Sequence, residues 1–231
     1  MSNTASPSLK RSSSVFLACL IASHLSSQSA PLFTAFQQDS ESNCASIALI
    51  KAMMGTYGVA NVYNRLPSRP GEHVYRLKDG SEVILTQAEL TNAIGRTGFK
   101  KPDNADPTIC AYADTCYAIM AKKRMHVRNS ATFQISLDSL SDGYPTVSVG
   151  ELLGVELVRI RPQRPGKIKE LKHIIVYNTY HAVYASEGLY DESKKNGAVR
   201  IAIMRWCRAG PKTGFGIRGL SGALRIAAVD P

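Results

Sequence analysis

Apolar residues recur at helical spacing in the first half of the chain. Directly after Cys44 they stand three or four positions apart, at Ile47, Ile50, Met54 and Tyr57. This spacing places them on one face and predicts an amphipathic helix that begins at Cys44. The segment before the helix, QQDSESN, is polar, which predicts a loop.

Three further elements are predicted in this half. Asp79-Gly80 interrupts the alternating run HVYRLKDGSEVILT and predicts a hairpin. Thr86, with Glu89 three residues later, forms a capping-box pattern that predicts the start of a helix. A longer helix is predicted over DPTICAYADTCYAIMAKKR, whose basic end complements the helix dipole. Its apolar stripe consists of Ile109, Cys110, Ala113, Cys116, Tyr117 and Met120.

The second half is rich in β-branched and aromatic residues. Strands are predicted in YPTVSVGELLGVELVRIRP, in HIIVYNTYHAVYASEGLYDES and in AVRIAIMRWCR, with Gly, Pro and Asn-Gly between them. Helices come first and strands later, without a clear linker. This order predicts an α+β fold in which a helical half packs on an antiparallel β half.

Composition places the chain among ordinary globular proteins. Of its 231 residues, 44% are hydrophobic and 20% are charged. Lys and Arg number 28 against 18 Asp and Glu, a net charge of +10, but they are scattered and no nucleic-acid-binding motif accompanies them. We therefore expect a solvated basic surface that could bind an acidic partner protein, and no specific nucleic acid. Composition does not predict the oligomeric state.

The N-terminal segment differs from the rest of the chain. Its first 38 residues contain no Asp or Glu and many serines, and Lys10 and Arg11 precede a short apolar run at 15–22. This pattern predicts a secretory signal peptide or another export leader over residues 1–31, followed by one domain over 32–231. The protein would then be exported, or cytoplasmic if the leader is not a targeting signal. The apolar run is too short to span a bilayer.

The five cysteines do not suggest a structural framework. Their number is odd, and Cys110 and Cys116 lack the spacing and the neighbouring histidines of a zinc site. At least one thiol should be free, and no metal or cofactor is expected.

Cys44 has the position of a nucleophile. A helix N-terminus and a paired histidine lower the pKa of a thiol, and the amides of the first helical turn should point towards it. Gln38, six residues earlier, could return its side-chain amide beside the sulfur. With the Cys44 amide it would form an oxyanion hole.

His181 is the preferred base for this thiol. It begins the strand-like HAVYA, 137 residues after Cys44, and His173 is the alternative. If the chain turns at 186–188, a hairpin brings Asp191 across from His181 as the orienting group. If it turns at 195–197 instead, the partner is Asn196 or Asn178.

These residues resemble the papain-like cysteine peptidases, nearest the calpain branch. The likeness covers residues 36–191 and includes Gln38 before Cys44, a distant Tyr-His-Ala-Val run at His181, Asn43 before the cysteine, the VYRLKDGSEVILT hairpin and the YADTCYAIMAKK helix. It departs from the family at Ala45, where tryptophan is usual, and in lacking an Asn-Pro-Trp-Gly motif. The resemblance implies a two-lobed fold with Cys44 on the helical lobe and His181 on the β lobe.

The predicted function is cofactor-free hydrolysis of amide bonds, in a protein or peptide substrate, by a Cys-His dyad or triad. The same site would also suit a glutamine deamidase or a transglutaminase-like effector. A non-catalytic papain-like binding module is the alternative from a different class.

Overall fold

The computed structural model describes residues 29–129, 132–160, 170–192, 197–200 and 222–227. Five helices lie in these residues: α1 (Ser29–Ala35), α2 (Cys44–Tyr57), α3 (Gln87–Gly95), α4 (Pro107–Val127) and α5 (Phe133–Ser141). Short 3₁₀ helices cover Val59–Asn61 and Val149–Leu153. The strands are β1 (Gln37–Gln38), β2 (Asn64–Leu66), β3 (Glu72–Arg76), β4 (Glu82–Thr86), β5 (Phe99–Lys100), β6 (Leu157–Ile160), β7 (Ile174–Tyr177), β8 (Ala182–Ser186), β9 (Leu189–Glu192), β10 (Gly197–Arg200) and β11 (Gly222–Ile226).

The strands of the described residues form antiparallel sheets. The largest has the order β10-β9-β8-β7-β11-β6, and smaller sheets have the orders β2-β3-β4 and β1-β5. Helices combined with antiparallel sheets confirm the predicted α+β class. The further prediction of two papain-like lobes stays a prediction.

The hairpin of β8 and β9 sets the register near the predicted site. Ala185 pairs with Tyr190 and Ser186 with Leu189, so the chain turns at 186–189, as predicted for one of the two alternatives. Glu187 has a φ of 52° at this turn, next to a glycine. If this pairing is continued by one residue, Asp191 lies opposite Tyr184, which is three residues after His181 in the chain.

Helix α2 is the centre of the core. Its residues from Ala45 to Gly55 are all buried, and the helix packs directly on β8. The prediction of an amphipathic helix is therefore wrong in one respect, because a helix covered on every side has no solvent face. Close approach also explains Gly55, since a Cβ there would lie 2.1 Å from Nδ1 of His173.

The other elements predicted in the first half are confirmed. The β3–β4 hairpin turns at Asp79-Gly80, where the glycine has a φ of 79°. Helix α3 begins with a capping box between Thr86 and Glu89. Helix α4 covers the third predicted segment, and its predicted apolar stripe is buried.

Local structure differs from prediction around Pro145. A strand was expected from residue 144 onwards, but only β6 is extended, and the residues before it form a turn and a 3₁₀ helix. The amide of Ser148 donates to the Pro145 carbonyl oxygen at 3.0 Å, a turn bond that a strand could not make. Helix α5 and strand β2 were not predicted, since their short segments lack a clear period. The predicted strand AVRIAIMRWCR is described only over β10.

The N-terminal prediction falls mostly outside the described residues. The predicted boundary between residues 31 and 32 lies inside α1, whose Leu32 and Phe33 are buried in the core. Among the described residues, no helix combines the length and the apolarity needed to cross a membrane.

Candidate active site

Cys44 is the first residue of α2, and distant contacts hold the loop before it. The Asn43 side chain is buried, and its Nδ2 donates to the Thr97 carbonyl oxygen at 2.7 Å. The amide of Ser42 donates to the Ser141 carbonyl oxygen at 2.8 Å. Two bonds to remote parts of the chain therefore determine where the helix begins and where the thiol lies.

The thiol of Cys44 is partly buried, and burial raises its pKa. Backbone amides of Ala182, Ala45 and Cys44 itself hydrogen-bond to the sulfur and oppose this shift. The prediction of a lowered pKa is therefore wrong for this arrangement, because desolvation outweighs the amides at the helix start. The Ala182 amide also shows that the sulfur lies against β8, in the β half of the protein.

His181 immediately precedes β8 and is held by a tight turn. The Asn178 amide donates to the His181 carbonyl oxygen at 2.9 Å. The Asn178 side-chain oxygen in turn accepts from the backbone amides of Tyr180 and His181, each at 2.8 Å. Burial lowers the pKa of His181 to about 4, so its imidazole is neutral near pH 7.

Two cavities meet at Cys44 and His181. A small cavity of about 10 Å³ is lined by Gln38, Cys44, His181, Asp191 and further side chains of α2 and β8. An open cleft of about 510 Å³ runs between residues 142–147 and 177–181. Cys44 and His181 are the two residues that line both. All four predicted site residues therefore surround one small space, although their catalytic roles stay predictions.

Gln38 reaches the small cavity from β1, which pairs with β5. Its Nε2 donates to the Glu41 carbonyl oxygen, within the loop that leads to Cys44. One hydrogen of this amide therefore holds the loop before Cys44. The predicted return of this side chain towards the cysteine matches its place in the cavity lining.

Asp191 also lines the small cavity, but its observed ion pair is with Lys51. Its Oδ2 accepts from Nζ of Lys51 at 2.6 Å, and both side chains are buried. Burial raises the pKa of Asp191, while the charge and the hydrogen bond of Lys51 lower it. The predicted orientation of His181 by Asp191 stays a prediction, and the register places the two residues at different levels of the hairpin.

The alternative residues lie elsewhere. His173 packs against Gly55, near the end of α2, and its Nδ1 is 2.8 Å from the Tyr184 hydroxyl. It lines neither cavity described above. Asn178 holds the backbone of the His181 turn, as described, and Asn196 lies outside the described residues.

Sequence reasoning missed Lys51, which pairs with the cavity-lining Asp191. It is fully buried two turns along α2 from Cys44, and its Nζ lies 4.8 Å from the Phe36 ring centre. Burial lowers its pKa, opposed by the charge of Asp191. The available signal was a single lysine inside an otherwise apolar helix, but its partner is 140 residues away.

The remaining cysteines of the described residues do not extend the site. Cys110 and Cys116 are buried and free, as predicted for core residues. Among the described residues, no group of three His, Cys, Asp or Glu side chains could hold a metal ion.

The neutral state of His181 predicts a pH dependence of stability. The unfolded chain binds this proton with a pKa near 6.5 and the folded protein with a pKa of about 4, so protonation favours unfolding. The contribution of His181 is complete above pH 6.5 and is lost as the pH falls towards 4, a difference of about 3 kcal/mol.

Urea unfolding of the wild type and of His181→Gln at pH 7 and at pH 4.5 measures this difference. The variant should lose less stability on acidification. His73→Gln is the matched control, because His73 lies outside both cavities and bonds to Gln87 at 2.8 Å. Equal losses in the wild type and in His181→Gln would contradict the prediction.

Comparisons of this chain with protein-family models, with curated proteins and with solved structures found no significant match.

Proposed function

We propose that this protein is a cysteine hydrolase of amide bonds, acting on protein or peptide substrates. Cys44 is the nucleophile and His181 is the general base and acid. The observation that carries the proposal is the shared lining of the two cavities: both residues belong to the small cavity and to the open cleft. A substrate in the cleft would meet the two groups together.

Both groups are uncharged in the resting state. The raised pKa of Cys44 and the lowered pKa of His181 give a neutral thiol and a neutral imidazole near pH 7. As the sulfur attacks the substrate carbonyl carbon, its proton passes to the imidazole. The imidazolium then carries the positive charge, and the negative charge develops on the substrate's carbonyl oxygen.

The remaining steps return both groups to their starting state. The tetrahedral intermediate collapses, the C–N bond breaks, and the imidazolium gives its proton to the leaving amine. Water then attacks the thioester while His181 accepts its proton, and the departing sulfur recovers that proton from the imidazolium. The second amide hydrogen of Gln38 and the Cys44 backbone amide are the proposed oxyanion donors.

The cleft has room for part of a substrate. Its volume of about 510 Å³ lies within the range of binding sites. Among its described lining residues Asp142 is a carboxylate and no lysine or arginine is present. An acidic partner bound by the basic surface, as the charge balance suggests, would therefore contact other parts of the protein.

Alkylation of Cys44 tests the proposal directly. In a background with Cys19→Ser and Cys207→Ser, iodoacetamide should modify Cys44 near pH 7 at a rate that depends on His181. In His181→Ala the rate should fall about 100-fold, because an isolated thiol with a raised pKa reacts slowly. Mass spectrometry of the Cys44 peptide over time measures both rates.

The control is His173→Ala, which removes a partly buried imidazole that lines neither cavity. It should keep the alkylation rate of the parent. If His181→Ala reacts as fast as the parent, or if His173→Ala slows the reaction as much as His181→Ala does, the enzyme proposal fails and a binding module becomes the better explanation.

A further inference from the structure

The ion pair of Lys51 and Asp191 joins the two elements that carry the proposed site. Lys51 lies on α2 with Cys44, and Asp191 lies on β9, which pairs with the β8 strand that follows His181. Both side chains are buried, and Nζ and Oδ2 are 2.6 Å apart. The pair therefore connects the nucleophile helix to the hairpin of the base.

The second carboxylate oxygen of Asp191 has no such partner. Oδ1 is buried and has no hydrogen-bond partner in the described structure, although Asp191 is only 6% exposed. A buried oxygen left in this state costs free energy, and such atoms in native proteins are usually bonded to protein or to ordered water.

The small cavity has the size and the chemistry for one water molecule. Its volume of about 10 Å³ is close to the minimum that one water needs. A buried water needs two to four polar partners, and the polar residues Asp191, His181 and Gln38 all line the cavity. Ile47 and Ala48 line its apolar side.

We propose that one water molecule in this cavity donates to Asp191 Oδ1 and accepts from the His181 ring, which makes Lys51 and Asp191 positioning residues for His181. This inference rests on the proposed function, because the position of His181 affects catalysis only if His181 is the general base. Lys51 fixes the carboxylate through Oδ2, the carboxylate fixes the water, and the water fixes the tautomer of the imidazole. Because the ion pair has no net charge, its effect is on orientation.

Two double variants separate this role from the stability of the ion pair. Lys51→Met with Asp191→Asn and Lys51→Met with Asp191→Leu both remove the pair and have similar volumes. Only the first keeps a polar group for the water. Crystal structures should show the water in the wild type and in the asparagine variant, and no water in the leucine variant.

Two measurements in solution test whether the water positions His181. Nitrogen-15 NMR of His181 should show one neutral tautomer in the asparagine variant and a mixture in the leucine variant. Alkylation of Cys44 near pH 7 should be about tenfold slower in the leucine variant than in the asparagine variant. Lys101→Met with Asp114→Asn removes another ion pair, with 2.6 Å between its charged atoms and outside the cavity, and should match the wild type.

Different results would contradict the water-mediated positioning of His181 and the proposed function. If the cavity of the wild type holds no water, or if the two double variants give the same tautomer and the same alkylation rate, the water-mediated positioning is wrong. If alkylation of Cys44 in the wild type does not depend on His181, the proposed function is wrong. In that case, the crystallographic water and the His181 tautomer still test whether Asp191 positions the imidazole through a water molecule.

Discussion

Replacement of Cys44 by serine should lower the rate of amide-bond hydrolysis by about three orders of magnitude or more. Serine keeps the size and the hydrogen bonds of the residue at the start of α2. However, a hydroxyl gives up its proton far less readily than a thiol, and the His181 pKa of about 4 makes this imidazole a weak base. The remaining oxyanion donors and the cleft cannot compensate for the lost nucleophile.

Turnover of a library of denatured proteins and peptides, followed by mass spectrometry, measures the effect. New chain ends identify a protease, whereas glutamine converted to glutamate identifies a deamidase with the same thioester chemistry. Cys110→Ser is the matched control, because Cys110 Sγ donates to the Ala35 carbonyl oxygen and a serine hydroxyl can do the same. Hydrolysis that persists in Cys44→Ser would assign the activity to another group.

Local sequence patterns predicted those features of the site that depend on short segments. Cys44 was placed at a helix start because a polar segment meets an apolar period there. His181 was placed beside a strand because the run after it is β-branched and aromatic. The 186–189 turn was predicted as one of two alternatives, and its register decides the level of Asp191.

The features that were missed depend on contacts between distant segments. Nothing near Lys51 indicates that its charge is paired with Asp191, 140 residues later. The raised pKa of Cys44 follows from burial beneath β8, which a helix-start pattern cannot reveal. The cleft wall at 142–147 is formed by a turn around Pro145 that alternation alone suggested to be a strand.

The second large effect concerns Lys51. Lys51→Met should lower the free energy of unfolding at pH 7 by about 3–5 kcal/mol, because it leaves Asp191 buried without its cation. Without Lys51, burial raises the pKa of Asp191, and the folded state favours the protonated carboxyl. The loss of unfolding free energy should therefore become smaller as the pH falls below that pKa. Urea unfolding at several pH values measures both.

A second substitution separates the loss of the pair from the burial of a lone charge. Lys51→Met with Asp191→Leu fills the same space with apolar groups, and its stability should return to within about 1 kcal/mol of the wild type or exceed it. Arg76→Met provides the surface control, because Arg76 and Glu82 are about half exposed and should contribute less than about 1 kcal/mol. If the double variant is as unstable as Lys51→Met, packing of the lysine stem determines the loss, and the ion pair does not. If Lys51→Met is as stable as the wild type, the buried pair contributes nothing, and the connection between α2 and the β8–β9 hairpin depends on apolar contacts alone.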